Sequence, residues 1–376
     1  MTQKQAGSIS KHFSSMNDPR RENSRHNLID VITISICAII SGASGFFQIQ
    51  EFGEAKYDWF KEFLELPHGI PSHDTFGRIF ARLDPNELRE AFIDWVAAIN
   101  TIIAGEVIPI DGKTIRHSFD NDAGKSAIHM VSAWASSSGI VLGQIKTDEK
   151  SNEITAIPEL IKSLEIEGCI ISTDAMGCQK KIAETIIDKK GDYVFGLKGN
   201  HGTMANDVEL FFQDYLKNNI SGFNIDTSET IEKDHGRLEI RRYWTTSDID
   251  WLQGKDAWEK LQTICMVERE VHTNDKVSKE TGYYIGSIQS DAELFGRAVR
   301  SHWGVENSLH WVLDVTFRED ESRIRKDNAP ENLAILRHLA LNMIKKETSK
   351  KKSIRAKQLR AGWNNDYLKK ILKINN

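Results

Sequence analysis

The sequence predicts an α/β protein: a mixed sheet with flanking helices, preceded by an α-helical N-terminal domain and interrupted by a β-rich insertion. Three observations predict it. Apolar residues recur at three- and four-residue intervals as far as about Asn100, the order β-β-β-α-β-α-β follows, and alternating segments within 203–285 come before a return to helical spacing near Asp291. The division expected is 1–100 helical, 101–202 the first part of an α/β core, 203–287 the insertion, 288–346 the helical remainder of the core, and 347–376 a basic tail.

Residues 1–27 are polar and carry Arg20, Arg21 and Arg25, either a solvated segment or a phosphate contact. Val31–Ile49 is apolar enough to catch a hydropathy scan. It is short for a bilayer span and contains Ser35, Ser41, Ser44 and two glycines, so it reads as a buried helix. After Phe46, Ile49, Phe52, Trp59, Phe60, Phe63 and Leu64 comes Gly69-Ile70-Pro71, then Ser72 or Asp74 as the cap of a helix through Arg78 and Leu83. That arrangement suits a helix-turn-helix or a bundle used only for packing.

Val107–Ile110 reads as the first strand, ending in Asp111 and a glycine turn at Gly112. Ile128–Ala135 and Ile140–Ile145 flank the turn Ser136-Ser137-Ser138-Gly139. Thr155 can cap a helix that tolerates Pro158 in its first turn, runs to Leu164 and is ended by Gly168. Cys169–Thr173 (C-I-I-S-T) reads as a buried strand that ends in Asp174, a helix is expected over 179–189, and Tyr193–Leu197 is a further strand closed by Lys198-Gly199-Asn200-His201. In the insertion, Leu238–Trp244 and Leu261–Glu268 alternate as strands do.

Net charge is −5 and pI about 6.2, so any nucleic-acid footprint must be local rather than global. Candidate patches are Arg237, Arg241 and Arg242 in the insertion, Arg297 and Arg300 on the late helix, and the lysine-rich run after Lys345, which is otherwise a solvated face or frayed tail. Four cysteines without C-x-x-C spacing suggest neither a zinc ribbon nor a disulfide framework, and fit a reducing cytoplasm.

The chemistry is expected from carboxylates. Asp111 and Asp174 each follow a predicted central strand; where such strands are neighbours, both acids meet at the edge where open α/β sheets hold ligands. Two carboxylates a few ångströms apart repel unless a cation separates them, and hard oxygen donors select Mg²⁺ or Mn²⁺. A third acid on a packed helix, best supplied by Glu306, completes a two-metal site for in-line phosphoryl displacement. His302, Glu306 and His310 fall at i, i+4 and i+8 on one helix face, which leaves a zinc site open as a lesser alternative, although the spacing is not H-E-x-x-H. Gly112-Lys113-Thr114 echoes a P-loop, but the loop's first glycine would fall on Val107, and the Asp-x-Asp pattern of a phosphatase fails at Lys113.

The segments I-P-I-D-G-K-T-I-R (108–116), E-K-S-N-E-I-T-A-I-P-E-L (149–160), T-D-A-M-G-C-Q (173–179), F-G-L-K-G-N-H (195–201) and H-W-G-V-E-N-S-L-H-W-V-L-D-V-T-F-R-E-D (302–320) together resemble the ISAs-one family of insertion-sequence transposases, the H-repeat-associated proteins. L-P-H-G-I-P-S-H-D-T-F-G-R-I-F (66–80) resembles the N-terminal domain associated with that family, so the likeness spans nearly the whole chain. It implies a ribonuclease H-like core, a DNA-binding/associated N-terminal domain, and metal-dependent cleavage and strand transfer on DNA. It further implies two Mg²⁺ ions for which Mn²⁺ can substitute, terminal inverted repeats and target DNA as partners, a homodimer in the synaptic complex, no membrane, and the bacterial cytoplasm. Asp111, Asp174 and Glu306 match the D-D-E triad as catalytic and metal-holding residues. The DNA contacts expected are Lys113, Arg116, Lys198, His201, His235, Arg237, Arg300, His302 and His310. Related transposases of the wider superfamily carry Tyr, Arg and Lys around the Glu, where this chain has Val299, His302 and Leu313. Arg300 can stand in for that arginine, and His302 and His310 either contact end phosphates or pack the helix.

Overall fold

A computed structural model describes residues 7–20, 24–120, 123–148, 152–218, 221–234, 236–273 and 276–373. Six helices come first: α1 (Gly7–Phe13), α2 (Leu28–Ile40), α3 (Phe46–Ala55), α4 (Tyr57–Phe60), α5 (His73–Arg82) and α6 (Pro85–Ile99). The apolar stretch flagged by hydropathy is α2, buried along almost its whole length. No described helix is long and apolar enough to cross a membrane. Ser72 caps α5, accepting from the Thr75 N–H. Phe76, Ile79 and Phe80 face the core while Arg78 and Arg82 stay exposed.

The sheet begins with β1 (Val107–Thr114), β2 (His129–Ala135) and β3 (Ile140–Lys146), followed by α7 (Glu153–Lys162), β4 (Ile170–Thr173), α8 (Lys180–Asp188) and β5 (Asp192–Leu197). Next come α9 (Gly202–Asn218), β6 (Asp226–Asp234), β7 (Arg237–Thr246), β8 (Thr263–Thr273) and β9 (Lys276–Gly286). The chain ends with α10 (Ala292–Val305), a π-helical turn (Glu306–His310), α11 (Trp311–Val315), α12 (Ala329–Lys346), α13 (Ile354–Trp363) and α14 (Asn365–Leu372).

Among the described residues, nine strands form one sheet in the order β3-β2-β1-β4-β5-β9-β8-β7-β6. An antiparallel meander, β1 to β3, is followed by two parallel crossovers, β4 and β5, which is the ribonuclease H-like order. The strands of the 203–287 segment continue that sheet, because β9 pairs antiparallel with β5.

Helix α12 joins the halves. It is buried along nearly its whole length and packs against α2, α5, α6 and β3. Its Asn342 accepts from Val141 N at 2.9 Å and donates to Val141 O at 2.8 Å, and its Asn332 donates to Phe80 O and Leu83 O at the end of α5. Amide side chains can satisfy backbone groups that the helix contact would otherwise bury unpaired.

Three expectations change. β1 does not turn at Gly112: the ladder continues as Asp111↔Ser132, Gly112↔Val131 and Thr114↔His129, since β2 offers a full-length partner. Helix α7 starts three residues earlier than a Thr155 cap would allow, because the Asn152 side chain accepts from Ile154 N at 3.1 Å, and this places Pro158 inside the helix rather than in its first turn. The basic C-terminal segment folds into α13 and α14, and two of its lysines are internal. Lys345 Nζ donates to Gly139 O at 2.7 Å, and Lys357 Nζ donates to Ile344 O at 3.1 Å and to Glu347 O.

Candidate active site

Register brings the two aspartates together. β1 and β4 run parallel with Val107↔Ile170, Ile108↔Ile171 and Pro109↔Ser172 in step, so two residues further on Asp111 is level with Asp174. There the strands part: β4 ends at Thr173, and β1 continues against β2 alone. Both carboxylates thus stand where a parallel pair opens, outside the carboxyl end of the sheet.

The turn after β4 is fixed by its neighbours. Asp174 Oδ1 accepts from Met176 N at 2.9 Å and Gly177 N at 3.1 Å, an Asx-type turn. Gly177 must be small, since a Cβ would lie 2.6 Å from Thr173 Cβ. On β5, a Cβ at Gly196 would press on the Asp174–Ala175 backbone at 3.3 Å. Asn200 then donates to Ala175 O at 2.8 Å, and His201 Nε2 bonds Cys178 O at 2.6 Å. The F-G-L-K-G-N-H segment therefore braces the Asp174 turn, and His201, expected at DNA, is occupied in that bracing.

Glu306 arrives from α10, which packs against β1, β4 and β5. It opens the π-helical turn, and π-turns insert one residue into helical spacing. His302 and Glu306 line the cleft, and His310 Nδ1 sits 3.6 Å from Asp111 Oδ2, beyond hydrogen-bond length. Burial, added to by the charge of Lys113, pushes the His310 imidazole down to about 4. Burial also lowers His302, against the opposing charge of Asp174, and His302 Nδ1 has no hydrogen-bond partner. Both rings are neutral near pH 7, so neither offers a phosphate a cationic contact.

Asp111, Asp174 and Glu306 line one cleft of about 550 Å³, with Lys198, Tyr284 and Trp303 on its walls. The Asp111 carboxyl is pushed up to about 6, first by burial and then by the negative charges of Glu153, Asp174 and Glu306. Glu153 and its partner His129 were not among the expected site residues. The signal available was Asn152, a good cap one residue before the glutamate; placing the cap at Thr155 put Glu153 outside the helix.

A folded carboxyl titrating near 6 against an ordinary value of 3.8 binds its proton more tightly than the unfolded chain does. Its contribution to stability is then complete below the unfolded value and lost as pH rises through the folded one. Metal-free protein should lose on the order of 3 kcal/mol from this group between pH 4 and pH 7, readable in urea midpoints. A divalent cation should flatten that slope. An unchanged midpoint across the window would mean that Asp111 is not crowded by charge.

The remaining expected residues are dispersed. Lys113 is mostly buried, with Nζ 2.7 Å from Asp314, 3.3 Å from Glu319 and 2.9 Å from Asp320. Arg116 is largely exposed and pairs with Asp320 at 3.2 Å. Lys198 is exposed on the cleft wall. Arg300 holds Glu232 of β6 at 2.5 Å, and Arg237 holds Glu239 at 2.8 Å. Arg241 and Arg242 are likewise taken up by Glu239, Glu229 and Glu268, so the arginines of the insertion belong to a cross-strand ion lattice rather than a free basic patch. His235 and Arg21 lie outside the described residues.

As a metal site, the cleft fits by donor chemistry and by charge: the acids are all oxygen donors, and Asp111 carries the effect of three neighbouring carboxylates. Among the described residues, no three His, Cys, Asp or Glu side chains already close on one point as a metal cage. The zinc alternative gains no support from that arrangement, and the spacing is not H-E-x-x-H.

Residues 104–343 match the family described as Transposase DDE domain, and residues 10–96 match the one described as DDE_Tnp_1-associated. The "H repeat-associated putative transposase YhhI" of Escherichia coli (strain K12) is 40% identical over 370 residues, covering 97% of each chain. The "Putative transposase YncI" of Escherichia coli O157:H7 is 38% identical over 372 residues, covering 97% of this chain and 94% of that one. Among solved structures, the piggyBac transposase synaptic complex with hairpin DNA is similar at 12% identity and a TM-score of 0.46, over 97% of this chain and 77% of that one. A likeness of that size is too slight to bear on the site. With a DDE domain over more than half its length and relatives matched nearly end to end, the chain belongs to the DDE transposase family, alongside the H-repeat-associated transposases.

Proposed function

We propose that the protein is a DNA transposase that cleaves phosphodiester bonds at insertion-sequence ends and joins the freed 3′-hydroxyl to target DNA. The observation that carries this reading is the convergence of Asp111, Asp174 and Glu306, from two parallel strands and a packed helix, on one cleft. Two Mg²⁺ ions, or Mn²⁺ in their place, would be held by these three carboxylates, supplying Lewis-acid stabilisation of phosphoryl charge and a more acidic water.

The chain's own residues account for the rest. Asp174 is pre-oriented by the Met176 and Gly177 N–H groups, so little reorganisation is needed when it takes up its ligand. His302, neutral and on the cleft lining beside the acids, can exchange a hydrogen bond without adding positive charge to compete for the carboxylates. Lys198, exposed on the cleft wall, is placed to meet a backbone phosphate. Lys113 is excluded from that role by its three carboxylate partners, and Arg116 and the exposed Arg78 and Arg82 of α5 remain as peripheral phosphate contacts. Pairing two element ends calls for two copies of the chain, so a homodimer is the expected synaptic unit.

The test is an assay with a pre-cut end bearing a 3′-hydroxyl. Joining of that end to a target duplex in Mg²⁺ is expected. Cleavage of uncut ends without any joining would make the protein a nuclease, and neither reaction would make it a DNA-binding relic.

A further inference from the structure

We infer that His310 is a positioning residue for this site, a ring set over Asp111 to fix which way that carboxylate faces; the inference rests on the function proposed above. Successive strand residues face opposite sides of a sheet, so Asp111 and Lys113 share one face of β1. Two contacts dock that face on the segment after α10. His310 Nδ1 lies 3.6 Å from Asp111 Oδ2, and Lys113 Nζ lies 2.7 Å from Asp314 Oδ1. Two strand residues advance about 6.7 Å and four helical residues about 6 Å, so the two pairs match in spacing. The Lys113–Asp314 ion pair thereby holds His310 at Asp111.

A buried polar row continues from Asp111 into the protein. Register places Asp111 opposite Ser132 and Ser132 opposite Gln144, so the three share one face across β1, β2 and β3. Ser132 and Gln144 are buried, and Gln144 Oε1 accepts from Nδ1 of His338 on α12. On either side of His338, Glu331 pairs with Lys146 at 3.0 Å and Asn342 bonds Val141, which pins α12 along β3. Lys345 of the same helix donates to Ser308 O at 3.3 Å, inside the π-turn that ends at His310. The place of the His310 ring is therefore fixed through both β1 and α12.

A packing role explains the burial of His310 but not its chemistry. Among the described residues its Nε2 is buried without a hydrogen-bond partner, as is that of His338. Burying an unpaired ring nitrogen costs free energy that an apolar side chain would not. The compensating gain is at Nδ1. An ionised carboxylate only accepts hydrogen bonds, so donation from Nδ1–H to Oδ2 holds the carboxylate and leaves its other oxygen for a cation. At 3.6 Å the contact is longer than a hydrogen bond, and catalytic contacts of this kind commonly tighten only when substrate binds. The departure from α geometry falls between Glu306 and His310, and π-turns recur at functional sites.

The experiment compares His310→Asn with His310→Gln in the full-length, DNA-free protein, because the Asn amide nitrogen falls where Nδ1 stands and the Gln amide nitrogen where Nε2 stands. Mn²⁺ affinity is read from the free ion by electron paramagnetic resonance, with urea midpoints as the control for folding. His310→Gln is expected to weaken the tightest Mn²⁺ site roughly 10- to 100-fold, and His310→Asn to lose far less. Single-turnover joining of a pre-cut end in Mg²⁺ should fall in the same order, with end binding unchanged. A space-filling role predicts the reverse order, since Gln is nearer His in volume, and that order would overturn the inference. So would unchanged Mn²⁺ binding in both variants while Asp111→Asn has lost it. A second reading needs no variant: with Mg²⁺ added, the ring ¹⁵N resonances of the unmodified chain should show His310 protonated at Nδ1, and protonation at Nε2 alone would overturn the inference. Should Asp111→Asn bind Mn²⁺ as the unmodified chain does, the three-carboxylate reading itself fails and takes this inference with it.

Discussion

Asp174→Asn is expected to reduce strand transfer by roughly 10³-fold or more, about 4 kcal/mol of transition-state stabilisation, while end binding persists. The substitution is nearly isosteric. Its amide oxygen can still accept from Met176 N and Gly177 N, so the turn after β4 should keep its shape. What is lost is one negative charge in a cleft that has two others from the triad. DNA is a polyanion, so removing a carboxylate from its path should leave affinity equal or slightly higher. Gel-shift titration beside a single-turnover joining assay separates the two effects. Retained joining would remove Asp174 from the chemistry, and lost binding would make it a DNA contact.

Lys113→Met should cost about 3–5 kcal/mol of stability, because it strips the common partner from Asp314, Glu319 and Asp320. Burial opposes the charge on Lys113, yet Glu319, Asp314 and Asp320 together hold its pKa above the ordinary value. Glu319 retains Arg337 at 3.6 Å and Asp320 retains Arg116, so the network is weakened rather than emptied. The deficit should shrink at low pH as the freed carboxylates take up protons. Urea denaturation at two pH values reads this directly. A phosphate contact would behave otherwise: stability unchanged, DNA affinity down, and a shallower dependence on salt.

That contrast shows where the sequence was legible. Asp111 and Asp174 could be found because each follows a short β-type run, Val107–Ile110 and Cys169–Thr173, and such runs bounded by turn residues read as buried strands. The order of strands and crossovers carried the fold for the same reason, and Glu306 stood out on a strongly periodic helix. Features that depend on a partner distant in sequence stayed hidden. Gly112 looked like a turn residue, whereas the register with β2 makes it a gap that Glu153 and His129 fill. Lys113 looked like a cation beside DNA because its acidic partners lie about 200 residues away. The π-turn at Glu306–His310 leaves no periodic trace, as its extra residue repairs the spacing only in three dimensions. Strand β6, with the sequence D-T-S-E-T-I-E-K-D, is too polar to announce itself, as suits the last strand of the sheet.

Whether Asp111 touches a catalytic cation can be read from Asp111→Cys. A thiolate is a softer donor than a carboxylate and serves Mg²⁺ poorly, whereas Mn²⁺ tolerates it better. Joining is expected to be lost in Mg²⁺ and substantially restored in Mn²⁺, with the unmodified protein active in both ions. Equal loss in both ions, with the variant folded and still binding element ends, or full activity in Mg²⁺, would contradict that contact.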